Sequence, residues 1–228
     1  MLSPRPAVRL PAYVWEAPVR IWHWIMVLAM LVLFVTGYLI GSPPPSVGGE
    51  ASEHFVFGYI RFAHFAAAYV FASVFVLRVY WAFVGNRYAR EIFLVPLHML
   101  RREWWADLLR VARHYLFVGP GELHVGHNPA AAAAMFFMYV LGTLFMIVTG
   151  FALYGEGLGR GSWAYALFSS WVIPLFGESQ DVHTWHHLGM WYLIAFSIIH
   201  LYLVIREDIM SGTTIISTMV NGYRDAKK

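Results

Sequence analysis

The sequence predicts an all-α membrane protein built as a four-transmembrane-helix bundle. Of its 228 residues, 59% are hydrophobic and only 13% are charged, and the mean hydropathy is +0.57. These values are typical of a polytopic membrane protein and not of a soluble domain. Four apolar segments approach or exceed the about 20 residues that cross a bilayer. The basic residues lie mainly in the loops between these segments.

Charge and cysteine content narrow the function classes. The isoelectric point is about 9.2, but scattered loop arginines indicate membrane topology better than nucleic-acid binding. The chain has no cysteine, which excludes disulfides, cysteine-ligated iron–sulfur clusters and thioether-attached haem in this chain. Haem b, which needs only histidine ligands, stays open.

The predicted elements follow one another along the chain. Residues 1–20 form an N-terminal segment, 21–205 the transmembrane domain and 206–228 a C-terminal tail. The first span ends at GSPPPSVGG, which cannot continue a helix, and the third ends at GEG. No small-residue cleavage site follows the first span, so we interpret it as retained. The predicted spans are 21–40, 56–84, 131–154 and 183–205.

One more apolar segment, 163–176, is too short to cross and contains a proline, so we expect it at the membrane interface. Within the loop 85–130, an apolar stripe predicts an amphipathic helix on the cytoplasmic surface, or a loop helix packed under the bundle. The stripe consists of Trp104, Trp105, Leu108, Leu109, Ala112 and Leu116.

The loop charges predict the orientation. The loop 41–55 has no Lys or Arg, and the loop 155–182 has only Arg160. The loop 85–130 and the C-terminal tail are basic, which predicts that they and both termini are cytoplasmic. Arg20 and Arg206, at the inner interface, are interpreted as orientation determinants. The other basic residues of this loop and tail are Arg87, Arg90, Arg101, Arg102, Arg110, Arg113, Arg224, Lys227 and Lys228.

Of the eleven histidines, we interpret four as intramembrane residues, namely His23, His64, His186 and His200. Intramembrane ionisable residues are costly and are usually functional; the alternative is a neutral histidine bonded to a neighbouring helix. His186 and His200 are fourteen residues apart, so both project from one helix face, roughly 21 Å apart along the axis. His183 and His187 project elsewhere and are expected to bond propionates, backbone or partner groups, or to be solvated.

Depth in the membrane pairs these histidines. His64 and His186 fall in the outer half of their spans, whereas His23 and His200 fall in the inner half. Each pair can supply two axial nitrogens to one haem iron, as in other helix bundles. Iron ligated by two histidines has no open position, which predicts electron transfer and not substrate binding.

Two further features accompany the histidines. Arg78, fourteen residues after His64, is expected near the inner pair, where a haem propionate would neutralise it; snorkelling to the surface is the alternative. The first and third spans end in the related stretches FVTGYLIG and IVTGFALYG. Gly37 and Gly150 in these stretches allow either close helix packing or room for a flat cofactor.

Ordered motifs from Tyr13 to Arg224 resemble one family, the b-type cytochrome subunits of membrane-bound nickel–iron uptake hydrogenases. The wider group, which includes formate dehydrogenase cytochromes, shares a four-helix plan with two haems. The matching stretches are YVWEAPVRIWHW, VTGYLIG, GYIRFAHF, RVYWAFVGNRYARE, VGHNP, TGFALYGEG, DVHTWHHLGMW, IREDIM and STMVNGYR.

The resemblance implies a multi-pass protein of the bacterial inner membrane that contacts lipid and anchors a periplasmic hydrogenase. The partners would be an iron–sulfur small subunit and a nickel–iron large subunit, and this chain would have no hydrogenase activity of its own. Electrons would pass to an outer haem b held by His64 and His186, to an inner haem b held by His23 and His200, and then to quinone.

By the same resemblance, Asn128 in VGHNP is a candidate quinone residue; the alternative is a helix cap before Pro129.

Two other functions stay open for the chain as a whole. One is a stand-alone transmembrane cytochrome of the b561 kind, which would work without a periplasmic partner. The other is a transporter or structural anchor with packing histidines, which would bind no haem.

Overall fold

The computed structural model describes residues 10–45, 54–119 and 124–226, which are mostly helical. The longer helices are α1 (Ala17–Gly41), α2 (Val56–Val84), α3 (Arg102–Tyr115), α4 (Pro129–Leu158), α5 (Tyr165–Phe176) and α6 (Ser179–Met210). Helices α4 and α5 contain π-helical segments at Met135–Val140 and Tyr165–Ser169. Short helices occupy Arg87–Arg90, Val95–His98 and Thr218–Asn221, and strands occupy Ala12–Tyr13 (β1) and Tyr223–Arg224 (β2).

Four of the helices are long and apolar enough to cross a membrane, namely α1, α2, α4 and α6. The four predicted spans are therefore confirmed as helices. Large apolar side chains point away from the protein on these helices: Leu28 is 64% exposed, Phe62 71% and Leu201 60%. Lipid tails, and not water, are the solvent that tolerates such apolar faces.

The helices extend beyond the predicted limits at several ends. Helix α1 begins at Ala17, with Pro18 in its first turn, where a missing N–H costs nothing. Helix α4 continues through the predicted stop at Gly155 to Leu158. Helix α6 runs to Met210 and so includes Arg206, which the prediction placed in the tail.

The chain divides into two compact units. Unit one comprises Met1–Ile21, Arg78–Val140 and Ser197–Lys228, and unit two comprises Trp22–Leu77 and Leu141–Phe196.

Unit one joins the two terminal segments to the middle loop. Strands β1 and β2 pair antiparallel, with Ala12 opposite Arg224 and Tyr13 opposite Tyr223. The Glu16 carboxylate accepts hydrogen bonds from Trp81 Nε1 at 2.9 Å and from the backbone N of Asn86 at 2.8 Å. The pairing brings the two terminal segments together, and the side of the membrane on which they lie stays a prediction. The buried residues Val14, Trp15, Val19, Tyr88 and Ala89 form the core here.

Helix α3 lies in unit one where the sequence predicts a helix. Its residue Val111 is buried, whereas Trp105 and Leu109 of the predicted stripe are exposed. The exposed part of the stripe is available to a membrane surface. Trp104 and Leu108 of the same stripe are half-buried. Partial burial is what the alternative prediction, a loop helix packed under the bundle, expects.

In unit two, the short helix α5 packs against α4. The buried hydroxyl of Ser169 donates a hydrogen bond of 2.6 Å to the carbonyl oxygen of Ala152. The rings of Phe151 and Phe168 stack with centroids 5.3 Å apart. The segment predicted at the interface is therefore a helix fixed to a span, and its position relative to lipid stays a prediction.

Candidate functional site

His64 of α2 and His186 of α6 line one cavity in unit two. Its volume is about 710 Å³, which falls within the roughly 300–1,000 Å³ range of small-molecule and cofactor pockets. Much of the wall is apolar and includes Met30, Leu33, Phe34, Ile147, Leu153 and Leu193. The structure thus brings the predicted outer pair to a common apolar space.

Each of these imidazoles bonds to a buried threonine. Nδ1 of His64 lies 2.9 Å from Oγ1 of Thr36. Nδ1 of His186 lies 2.8 Å from Oγ1 of Thr149. Within the described residues, neither histidine makes a hydrogen bond through Nε2. A neutral histidine bonded through Nδ1 keeps Nε2 as the free metal-ligating nitrogen.

A glycine next to each threonine makes room for the imidazole. A Cβ at Gly37 would lie 3.4 Å from Cε1 of His64 and 3.2 Å from Sδ of Met190. A Cβ at Gly150 would lie 3.1 Å from Cε1 of His186. Each glycine allows close helix approach and borders the cavity, and its role in making room for a flat cofactor stays a prediction.

Polar side chains line other parts of this cavity. Five of them come from α2 and the first turns of α6: Arg61, Gln180, His183, Thr184 and His187. Nδ1 of His183 lies 3.0 Å from the carbonyl oxygen of Ser179, one of the backbone bonds the sequence predicted. A Cβ at Gly41 would lie 2.7 Å from the ring of His187. Close packing of α1 against this ring therefore requires glycine at position 41.

The inner histidines belong to different units. His23 lies in α1 in unit two, with its ring centroid 5.1 Å from that of Trp24. His200 lies in α6 in unit one. Both are half-buried within spans. Their pairing stays a prediction from sequence depth.

Arg78 is buried in unit one and does not extend into solvent. Its Nη2 donates a hydrogen bond of 2.6 Å to the carbonyl oxygen of Ala89, and its guanidinium lies 5.1 Å from the Phe93 ring centroid. Nη1 has no hydrogen-bond partner among the described residues. Arg78 is thus a buried guanidinium with one donor unused, and its contact with a haem propionate stays a prediction.

Asn128 caps helix α4. Its Oδ1 accepts a hydrogen bond of 2.8 Å from the backbone N of Ala131, and its Nδ2 donates one of 3.0 Å to the Tyr115 hydroxyl. Burial raises the pKa of Tyr115, an effect that the Asn128 hydrogen bond partly opposes. The capping role is therefore present, and the quinone role stays a prediction.

Arg206, interpreted from sequence as an orientation determinant, packs against the same region. Its guanidinium lies 5.1 Å from the Tyr115 ring centroid and pairs with Glu207 at 2.6 Å. The side chain of Arg206 is largely buried. It therefore packs within unit one, a role that the distribution of basic residues in the sequence does not predict.

Sequence reasoning missed Thr36 and Thr149. The sequence signal for these threonines is the VTG shared by the first and third spans, in which the prediction used only the glycine. The hydroxyls could be assigned only once the structure brought each threonine to a histidine of another helix.

Comparison with known proteins identifies the family. The chain matches the prokaryotic cytochrome b561 family over residues 14–222. It belongs to this family. A cytochrome of this family carries haem b, and four apolar helices make this member a multi-pass protein of the inner membrane.

Curated relatives are similar over nearly the whole chain. A probable Ni/Fe-hydrogenase B-type cytochrome subunit of Azotobacter chroococcum mcd 1 is 61% identical over 213 residues, which is 93% of this chain and 88% of the relative. The corresponding hydrogenase 1 subunit of Escherichia coli (strain K12) is 54% identical, covering 94% and 91%. One from Rhodobacter capsulatus is 49% identical, covering 96% and 83%. The resemblance inferred from the motifs is therefore confirmed.

The residues of the unit-two cavity fit haem b. Both histidines bond a threonine through Nδ1 and leave Nε2 without a partner among the described residues, and Gly37 and Gly150 carry no side chain that would enter the adjoining space. The described residues contain no group of three or more His, Cys, Asp or Glu side chains that could hold a metal ion. The ligation of a haem iron by His64 and His186 stays a prediction for this cavity.

Proposed function

We propose that this chain is a di-haem b cytochrome that anchors a nickel–iron hydrogenase to the membrane and carries its electrons to quinone. His64 and His186 would hold an outer haem, and His23 and His200 an inner one. Haem b supplies one-electron redox chemistry when bound. The observation that carries the proposal is the pair of threonine-bonded histidines on one apolar cavity.

The chain's own residues have four tasks in this proposal. The two histidines of each pair would ligate one haem iron, which would leave no ligand position for substrate. The apolar part of the cavity wall would lower the local dielectric around the haem. Arg78, with Nη1 unused, would neutralise an inner-haem propionate. Asn128 is the proposed quinone contact.

The partners are inferred from the names of the relatives. Those relatives are named as hydrogenase cytochrome subunits, and the absence of cysteine fits iron–sulfur clusters that belong to another subunit. We propose docking of the small subunit on the periplasmic side, with the large subunit bound to it. Both termini would be cytoplasmic, and this chain alone would have no hydrogenase activity.

A stand-alone cytochrome is the second candidate, because the matched family is itself described as cytochrome b561. This description does not distinguish a partner-free cytochrome from a hydrogenase subunit. The names and coverage of the relatives favour the hydrogenase subunit.

Hydrogen-driven reduction distinguishes the two candidates. Membranes containing the chain with both hydrogenase subunits should show reduced haem b after hydrogen is added. Membranes with the chain but without the small subunit should respond to dithionite and not to hydrogen. A haem spectrum indifferent to hydrogen in the complete complex would contradict the hydrogenase role, and no haem in gently prepared membranes would contradict electron transfer altogether.

A further inference from the structure

The two threonines that bond the histidines occupy equivalent places in two different spans. Thr36 precedes Gly37 in α1 and faces His64 of α2, while Thr149 precedes Gly150 in α4 and faces His186 of α6. We propose that Thr36 and Thr149 are positioning residues that hold the outer-haem ligands in one tautomer and one orientation. The inference rests on the proposed function, because it requires that these histidines ligate a haem.

The direction of each hydrogen bond follows from proton counting. The Thr36 hydroxyl donates to the carbonyl oxygen of Val32 at 2.6 Å. The Thr149 hydroxyl donates to the carbonyl oxygen of Phe145 at 2.8 Å. A hydroxyl has one proton, so with that proton engaged its oxygen can only accept from the imidazole. Each histidine therefore carries its proton on Nδ1, and each Nε2 keeps a lone pair for iron.

The glycines restrict the imidazoles further. Because Gly37 and Gly150 lack Cβ, the rings lie directly against helix backbone, and a methyl group would meet Cε1 at 3.4 and 3.1 Å. The ring is thus held at Nδ1 by the hydroxyl and at Cε1 by the helix surface. This combination restricts rotation of the side chain about its own bonds.

An acceptor on Nδ1 also changes the ligand. It makes the imidazole a stronger donor through Nε2, which stabilises ferric over ferrous iron. Removing the acceptor should therefore raise the midpoint potential of the outer haem. Loss of such a hydrogen bond to a metal-ligating histidine costs about 10- to 100-fold in affinity for the metal group.

The test uses the full chain in its own membranes, with four variants. Thr36→Val and Thr149→Val keep the shape and remove the hydroxyl, whereas Thr149→Ser keeps the hydroxyl. Thr143→Val is the matched control, since Thr143 is a fully buried threonine of the same α4 and its hydroxyl makes no hydrogen bond within the described residues. The readouts are potentiometric titration of each haem, the low-spin ferric electron paramagnetic resonance signal and haem retained after solubilisation.

We expect both valine variants to raise the potential of the same haem, shift its resonance signal and weaken its retention. Thr149→Ser and Thr143→Val should match the wild type. Valine variants that match the wild type while the wild type holds its haem would overturn this inference alone, as would an equal shift from Thr143→Val. A wild type that holds no haem would overturn the proposed function and this inference with it.

Discussion

At the scale of single residues, Gly37 and Gly150 differ in what an added methyl group would meet. At Gly37 the nearest atom is Sδ of Met190, at 3.2 Å, in a flexible side chain. At Gly150 it is Cε1 of His186, at 3.1 Å, in a ring that threonine already holds. The same substitution therefore displaces mainly an adaptable side chain at Gly37 and a proposed haem ligand at Gly150.

Gly150→Ala should accordingly lower haem affinity by about tenfold, the lower end of the usual cost of disturbing a metal ligand's surroundings. Gly37→Ala is the matched comparison and should cost clearly less. Haem per chain after detergent purification measures the difference. Equal losses in the two variants would contradict the claim that Gly150 provides space for His186.

Arg78 allows a second test among single residues. Replacing a buried cation with Arg78→Gln removes a charge that favours the reduced, more electron-rich state of a nearby haem. The potential of the inner haem should fall by more than that of the outer haem. Arg87→Gln, at an exposed position outside the spans, is the control and should leave both unchanged. Equal shifts of both haems in Arg78→Gln would count against the proposed propionate contact.

The histidines were predictable from sequence, whereas their threonine partners were not. A histidine inside an apolar span is conspicuous because of its cost, and its depth follows from counting residues. Threonine is common in spans and usually bonds its own helix, as Thr36 and Thr149 also do. Only the approach of another helix shows that the same oxygen accepts a second bond.

At the scale of elements, the contact between α4 and α5 shows why one helix end was misplaced. A Cβ at Gly155 would lie 2.5 Å from the backbone of Ala164 and Tyr165. The glycine therefore lets α5 approach α4 and does not end α4, which continues to Leu158. A glycine in the sequence can either end a helix or allow another helix to approach, and only the tertiary contact distinguishes the two roles.

Gly155→Ala should destabilise this contact, because backbone atoms cannot move aside as a flexible side chain can. Overpacking of this kind costs about 1–3 kcal/mol in the free energy of unfolding. Gly157→Ala is the control two residues away, where nothing lies within 4 Å of the added Cβ. Thermal unfolding in detergent should show a lower midpoint for Gly155→Ala only, and a matching drop for Gly157→Ala would contradict this packing account.

At the scale of the whole molecule, the four spans and their loops were predictable, since length and hydropathy nearly determine them. The paired strands β1 and β2, each of two residues, were not, because such short strands carry no periodic signal. Their pairing brings the two terminal segments together, and the basic loop charges predict that both lie on the cytoplasmic side.

Single-cysteine labelling tests the orientation, because the chain has no cysteine of its own. Ser42→Cys should react with a membrane-impermeant maleimide applied from the periplasmic side. Arg113→Cys should react only after the membrane is permeabilised. The reverse pattern would contradict the predicted orientation, and labelling of both after permeabilisation is the control.

The central claim, two haems held by two depth-matched histidine pairs, is tested most directly by a reduced-minus-oxidised spectrum with haem and chain quantified together. The wild type should hold two haems b per chain. His64→Ala and His186→Ala should each remove one spectral component, and His23→Ala and His200→Ala the other. Loss of one common component in His64→Ala and His200→Ala, or a wild type without haem, would contradict the account.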